Sequence, residues 1–244
     1  EIRTPMNGIL GMSDILLQGD LPAEYRRNVE LIRRSGEGLL DIINDILDFS
    51  RIEAGKIELD DIPFDLGIVV EEVAELLASP AQSKGLELST FVEPEVPSVL
   101  RGDPGRVRQV LVNLVGNAVK FTDRGEVVVR ASTQARDGDL VTVRLSVRDT
   151  GIGIAPEVQE RIFDSFIQAD GSTTRKFGGT GLGLTISRQL VKLMGGEIRV
   201  TSVPGLGSEF VFTVPFRKGA ESARLPPVPR SDLRGVRVLV VDDN

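Results

Sequence analysis

Apolar positions along the chain mark out its elements. Between Ile2 and Leu17, the residues Ile2, Met6, Ile9, Met12 and Leu16 recur at three- and four-residue spacings, the repeat of one helix face. Pro5 predicts a local kink near the start of that helix. After the polar break Gln18-Gly19-Asp20, Pro22 suits the opening of a second helix, where its missing N–H costs nothing. In this second helix Leu39, Ile42, Ile46 and Phe49 form one stripe and Leu40, Ile43 and Leu47 an adjacent one, a face wider than a single partner helix covers. The pattern predicts an α hairpin that pairs with a second copy as a dimeric four-helix bundle. A monomeric hairpin lying on the following domain is the alternative.

The helical pattern ends at Gly55 within Ile52-Glu53-Ala54-Gly55-Lys56-Ile57, and a new amphipathic pattern runs from Phe64 to Leu77 after Pro63. A boundary near residue 60 follows, dividing a hairpin domain over 1–60 from a second domain over 61–217. In that second domain helix and strand signals alternate: strands at Leu86–Val92, Glu126–Thr133 and Leu140–Arg148, and helices at Pro104–Phe121 and Thr185–Met194. A last strand pair, Glu197–Thr201 and Ser208–Phe216, surrounds the turn residues Pro204, Gly205 and Gly207. The clearest strand is Leu140–Arg148, where Val141, Val143, Leu145 and Val147 alternate with Thr142, Arg144, Ser146 and Arg148. Antiparallel hairpins with intervening helices predict an α/β sandwich, a mixed sheet with helices on one face. Residues 218–234 carry Pro226, Pro227 and Pro229 among charges and read as a semi-rigid linker.

Composition narrows the chemistry. The 244 residues contain no cysteine and no histidine, which removes disulfides, thiolate or imidazole metal sites and histidine-based triads from within them. A formal charge of -7 argues against general binding to nucleic acid or to an anionic membrane, so any polyanion site is local. No stretch is long and apolar enough to span a bilayer, and no basic-then-apolar signal segment opens the chain. The chain starts on Glu1 rather than Met and stops at Asn244 after an apolar run, which predicts that it is cut from something larger.

Three segments stand out chemically. On the Pro104–Phe121 helix, capped by Asp103, the residues Val107, Val110, Leu111, Leu114, Ala118 and Phe121 make a buried face, while Asn113, Asn117 and Lys120 share another stripe. Asparagine is a poor helix-interior residue, and two in register suit an oxygen ligand for Mg²⁺ beside a lysine that meets phosphate; a solvated polar face is the simpler reading. Asp149-Thr150-Gly151-Ile152-Gly153 follows the clearest strand, where a carboxylate can accept from an exocyclic amine such as adenine N6 and glycines let the backbone approach a planar ring. In isolation that motif is a glycine-rich turn. Gly178-Gly179-Thr180-Gly181-Leu182-Gly183 precedes a helix, so its N–H groups and the helix N-terminus can converge on phosphate, although the spacing fits neither the lysine-containing P-loop nor the dinucleotide fingerprint. The polar segment before it, Ala169–Phe177, has the composition of a flap or of an ordinary surface loop, and includes Arg175.

In this order the segments resemble the ATP-binding domain of histidine kinases, a Bergerat-type fold. Asn113 to Thr122 is similar to the N box, Asp149 to Gly153 to the G1 box, Arg161-Ile162-Phe163-Asp164-Ser165-Phe166 to the F box and Gly179 to Leu184 to the G2 box. The resemblance implies ATP and Mg²⁺ as cofactors, with Asn117 on the metal, Asn113 and Lys120 near the phosphates, and Asp149 reading adenine. Gly151, Gly153, Gly179, Thr180, Gly181, Leu182 and Gly183 would line the nucleotide site and Arg175 would meet the γ-phosphate. Phe163 and Phe166 would anchor the lid.

The same nucleotide fold serves gyrase, mismatch-repair and chaperone ATPases, so the first helix decides between them. Glu1-Ile2-Arg3-Thr4-Pro5 resembles the kinase H box from its second position onward. That implies a phosphoacceptor histidine just before Glu1, with Glu1 as general base and Thr4 orienting water when a partner receiver is dephosphorylated. Val236–Val241 followed by Asp242-Asp243 resembles the start of a receiver domain, placing such a start at 235–244, against the simpler reading of a frayed charged tail. The implied protein is a hybrid kinase: a homodimer, with a receiver in cis or a response regulator or phosphotransfer protein in trans. This portion would be cytoplasmic and free of membrane contact, and an inner-membrane anchor elsewhere in the protein is compatible with it. Two rivals remain, a non-catalytic ATP-gated signalling module and an ATPase that drives a conformational clamp.

Overall fold

The computed structural model describes residues 2–164 and 181–219. Helix α1 (Arg3–Gln18) and helix α2 (Ala23–Glu53) form the hairpin. Pro5 lies in the first turn of the continuous helix α1, where a backbone donor has no acceptor within the helix. The turn between the helices is held by Arg26, whose guanidinium donates to the carbonyls of Leu17 at 3.0 Å and Gly19 at 3.1 Å. Met6 and Ser13 are buried between the helices, with Gly36 of α2 close against Met6 and Leu10. Much of the remaining apolar surface faces outward: Ile9, Met12 and Leu16 on α1, and Leu39, Ile42, Ile46 and Leu47 on α2. Phe49 departs from the expected outward stripe, packing with Ile52 against the core of the following unit.

That unit is an α/β sandwich. Its strands are β1 (Ile62–Phe64), β2 (Glu87–Val92), β3 (Leu100–Gly102), β4 (Glu126–Asp137), β5 (Leu140–Asp149), β6 (Glu197–Val203) and β7 (Gly207–Lys218). They form one mixed seven-stranded sheet in the order β1-β3-β7-β5-β4-β2, with β6 also pairing β7. Among the described residues, only the β2–β4 pair is parallel. Helices α3 (Leu66–Ser83), α4 (Pro104–Phe121) and α6 (Gly183–Leu193) pack together over one face, and the short α5 (Pro156–Gln159) lies beside β6.

The alternation in β5 largely has the expected result: Val141, Val143, Leu145 and Val147 are buried beneath the helices while Thr142, Arg144 and Arg148 remain partly or fully exposed on the other side, but Ser146, expected there too, is buried. Phe212 of β7 sits opposite Leu145 and is fully buried. Phe64 belongs to β1 and not to the helix read after Pro63; its ring meets Phe216 edge-on at 5.4 Å, and Asp65 caps α3 by accepting from Gly67 N at 2.8 Å. Beyond Leu77, α3 continues through Pro80 to Ser83, secured by the buried Ala81.

The hairpin meets the sandwich through a polar contact as well as through Phe49 and Ile52. Asp48 of α2 accepts a hydrogen bond from Gln109 Nε2 at 2.8 Å, and Arg106 approaches the same carboxylate at 4.0 Å. Arg106 in turn donates to Gln109 Oε1 at 2.9 Å, so the first turns of α4 are joined to α2.

Phe212→Ala removes a full aromatic side chain from the centre of the sheet–helix interface. Chemical denaturation is expected to show a loss of about 3–5 kcal/mol in unfolding free energy.

Candidate functional site

Helix α4 starts at a buried cap. Asp103 accepts from Arg106 N at 2.9 Å and from Asp60 N at 3.1 Å, and Pro104 occupies the first turn. Val107, Val110, Leu111, Leu114, Val115, Ala118 and Val119 turn into the core, which leaves Asn113, Asn117 and Lys120 half-buried along another stripe. Asn113 donates to Ser187 Oγ on α6 at 2.8 Å, and Asn117 donates through Nδ2 to Asn113 Oδ1 at 3.3 Å. The amide oxygen of Asn117 is therefore not the atom used in that pair. Lys120 lies with its ammonium 5.0 Å from the centre of the Phe121 ring, and burial lowers its pKa from the ordinary lysine value.

The N-terminus of α6 comes up against the same stripe. A Cβ on Gly183 would collide with Asn113 Oδ1, so glycine is what allows the helix end and the amide to meet. Gly181 has a φ of 69°, a left-handed conformation, and Leu182 beside it is buried. Backbone N–H groups at a helix start with no acceptor inside the helix suit an anion, and the asparagine stripe borders them.

The Asp149 turn closes a second side. Asp149, at the end of β5, is buried and accepts from Gly151 N at 2.8 Å and from the backbone and hydroxyl of Ser208. Desolvation pushes its pKa above the ordinary aspartate value, and the hydrogen bonds from Gly151 and Ser208 partly offset that shift. The turn docks on the end of α4: Ile152 N donates to Phe121 O at 3.3 Å, and a Cβ on Gly151 would strike that same carbonyl oxygen and the Thr122 hydroxyl. Gly153, with a φ of 69°, lies so close to the Val203 carbonyl that no side chain fits.

Two hydroxyls, Thr122 Oγ1 and Thr185 Oγ1, are buried without a hydrogen-bond partner among the described residues. Buried polar groups are normally paired, and these two follow directly on α4 and lie in the first turn of α6. A set of amides, hydroxyls and one ammonium with one carboxylate as acceptor, and glycines where a planar group has to approach, fits a nucleotide.

Among the sequence-predicted residues, Asn113, Asn117, Lys120 and Gly183 are gathered along α4 and the start of α6, and Asp149, Gly151 and Gly153 in the turn that packs on the C-terminus of α4. Thr4 is exposed in the first turn of α1. Glu1, Phe166, Arg175, Gly179, Thr180 and the stretch from 220 to 244 lie outside the described residues. Phe163 is buried, edge-on to Phe210 at 6.3 Å, with the Arg188 guanidinium 5.9 Å from its ring centre. Ser208, Ser187 and Thr185 escaped the sequence reading, and Thr122 entered it only as the last residue of the N-box match. Ser208 follows Gly205-Leu206-Gly207, read there only as a hairpin turn, although Gly207 also has a φ of 102° and presses on the Asp149 carbonyl.

Two family models match the chain: the His Kinase A (phospho-acceptor) domain over residues 1–55 and the Histidine kinase-, DNA gyrase B-, and HSP90-like ATPase over 102–218. The chain belongs to the histidine kinases. It is 46% identical to the sensor histidine kinase GacS of Pseudomonas protegens over 244 residues, covering 100% of this chain and 26% of GacS. To the signal transduction histidine-protein kinase BarA of Escherichia coli it is 45% identical over 214 residues, covering 88% of this chain and 23% of BarA. Among solved structures it resembles full-length ShkA in complex with AMPPNP, with a TM-score of 0.74 and 44% identity over 89% of this chain and 44% of that one. This histidine-kinase chain thus spans about a quarter of the length of GacS and BarA.

Its buried Asp149 is a pH-dependent burden on the fold. Because the folded-state pKa is raised, the folded protein holds a proton more tightly than the unfolded chain, and stability falls as pH rises from the unfolded to the folded value. Asp149→Asn is expected to melt no lower than the parent at pH 7, with any gain disappearing as the pH falls toward 4. The same variant is expected to lose about tenfold to a hundredfold in nucleotide affinity by calorimetry.

Proposed function

We propose that this chain binds ATP with Mg²⁺ and directs the γ-phosphoryl group to an imidazole nitrogen, as the core of a sensor histidine kinase in a two-component phosphorelay. The observation that carries the reading is the convergence of the Asn113–Asn117 pair with the α6 N-terminus at Gly183, beside the turn that holds Asp149. A relative 44% identical that was solved with AMPPNP supports the nucleotide. ATP supplies the phosphoryl group, and Mg²⁺ offsets charge on the phosphates it bridges.

In this reading each residue of the site has a distinct task. Asn117 offers its amide oxygen to the metal, and Asn113 and Lys120 meet the phosphates. Asp149 accepts from adenine N6, and Gly151 and Gly153 leave room for the ring. The start of α6 at Gly181, Leu182 and Gly183, with Gly179 and Thr180 before it, presents N–H donors to phosphate. Arg175 meets the γ-phosphate as it transfers.

The acceptor imidazole is not supplied by these 244 residues, which contain no histidine. In this reading it stands immediately before Glu1, whose carboxylate takes or orients the other ring proton while the new P–N bond forms and ADP leaves. Thr4, exposed in the first turn of α1, orients water in the hydrolysis of a phosphorylated receiver aspartate. Residues 235–244 open such a receiver in cis, behind a linker that starts after β7, since Lys218, read from the sequence as the first linker residue, is the last residue of that strand; a response regulator or phosphotransfer protein receives the phosphoryl group in trans.

The outward apolar residues of the hairpin are the contact between two copies. Their extent along both helices favours a four-helix bundle over a lone hairpin, and a phospho-acceptor domain of this family points to dimerisation.

Two measurements test these readings. With the residue before Glu1 present, γ-labelled ATP and Mg²⁺ are expected to give an acid-labile, alkali-stable protein label that falls about a hundredfold in Asn117→Ala. Tight Mg-ATP binding without label would favour the ATP-gated module, and steady hydrolysis without label the clamp ATPase. Separately, Ile42→Lys with Ile46→Lys is expected to turn a dimer into a folded monomer in sedimentation analysis.

A further inference from the structure

The last turn of a helix leaves its carbonyl groups without donors from the helix itself. At the end of α4 every one of them is accounted for. Ala118 O accepts from Thr122 N at 3.0 Å, and Phe121 O accepts from Ile152 N at 3.3 Å. Between them, Val119 O and Lys120 O each accept from Lys84 Nζ at 2.8 Å, and Thr122 O accepts from the same ammonium at 3.2 Å. An ammonium has three N–H groups, and here all three are directed at carbonyls of one helix end. The charge also has the sign that the negative end of a helix dipole favours.

Lys84 reaches this position from a prepared perch. It is the C-cap of α3, followed by Gly85 with a φ of 68°. Gly85 N donates to Gln82 O at 2.9 Å and Leu86 N to Ala81 O at 3.0 Å, the paired bonds of a Schellman ending, while Ala81 and Leu86 are buried. The backbone that carries the lysine is therefore held on both sides of it.

What Lys84 grips is the segment on which both halves of the nucleotide site depend. The carbonyl of Lys120 is one of its acceptors, and the Lys120 side chain is on the proposed phosphate stripe. Phe121, next in line, receives Ile152 from the Asp149 turn, and Thr122 carries the buried hydroxyl that faces Gly151. We infer that Lys84, remote from the nucleotide in sequence and making no proposed contact with it, is a positioning residue for nucleotide binding: its ammonium locks the C-terminus of α4 to α3 and so holds the phosphate stripe and the Asp149 turn in register. This inference rests on the nucleotide-site reading given above.

The test uses the 244-residue chain and calorimetric titration with Mg-AMPPNP, alongside circular dichroism and thermal melting. Lys84→Met is expected to remain folded and to bind roughly tenfold more weakly per folded molecule, the scale of losing charge-assisted hydrogen bonds that order a site. Lys84→Arg is expected to recover most of that affinity, and Lys56→Met, on an exposed loop, to bind as the parent does. If Lys84→Met does not fold, Lys84→Gln takes its place, with an intermediate loss expected because an amide keeps part of the donor set. Affinity per folded molecule equal to the parent in whichever of these two variants folds would overturn the inference, as would a loss that Lys84→Arg fails to restore. Failure of the unaltered chain to bind Mg-AMPPNP would overturn the nucleotide reading itself, and the inference with it.

Discussion

Helix α4 has to satisfy two environments at once, and the site follows from how it does so. Seven apolar side chains between Val107 and Val119 press into the sheet and the neighbouring helices, which fixes both the rotation and the height of the helix. With those settled, Asn113, Asn117 and Lys120 have no freedom to choose another direction, since residues on the remaining stripe of a helix are placed by the ones that are buried. The hydrophobic contact is non-directional, yet close packing makes it a positional constraint on polar groups that take no part in it.

The elements around α4 approach it through missing side chains. Gly183 brings the start of α6 onto Asn113, and Gly151 brings the Asp149 turn onto the Phe121 carbonyl. At both places a methyl group would separate the partners. The polar atoms gathered in this way are costly to the free protein: a carboxylate whose burial opposes its ionisation, and two buried hydroxyls that the described residues leave unpaired. Such groups lower folding stability until something with complementary donors and acceptors arrives, a common arrangement where a surface is built for a ligand rather than for the fold.

How far the sequence reveals this varies with the kind of interaction. Periodic burial is local information, and it places α4 at Pro104–Phe121 and the buried face of β5 with little error, because each residue's environment repeats at the spacing of its element. The three-residue strands β1 and β3 are invisible to that reading, since Ile62–Phe64 and Leu100–Gly102 owe their form to pairing with each other and to the far end of β7. Pro5 stands in a first turn that has no hydrogen bond to lose, and α3 runs past Leu77 and through Pro80 to Ser83 with Ala81 buried, an extension that the apolar spacing up to Leu77 does not announce. Within the site, the asparagine stripe and Asp149 are legible from residue type and spacing. Ser208 and Lys84 are not, because each acts on a segment dozens of residues away and neither stands in a pattern of its own.

The joint between hairpin and sandwich gives α2 a role that its amphipathic pattern alone does not suggest. Its 31 residues form one uninterrupted rod of roughly 45 Å at the usual helical rise. Asp48, two positions after the outward Ile46 and so nearly opposite it around the axis, takes hold of Gln109, one turn ahead of Asn113 on α4. One shaft thus carries both an exposed apolar face and the carboxylate that meets the helix bearing the asparagines, two journals on a single crank.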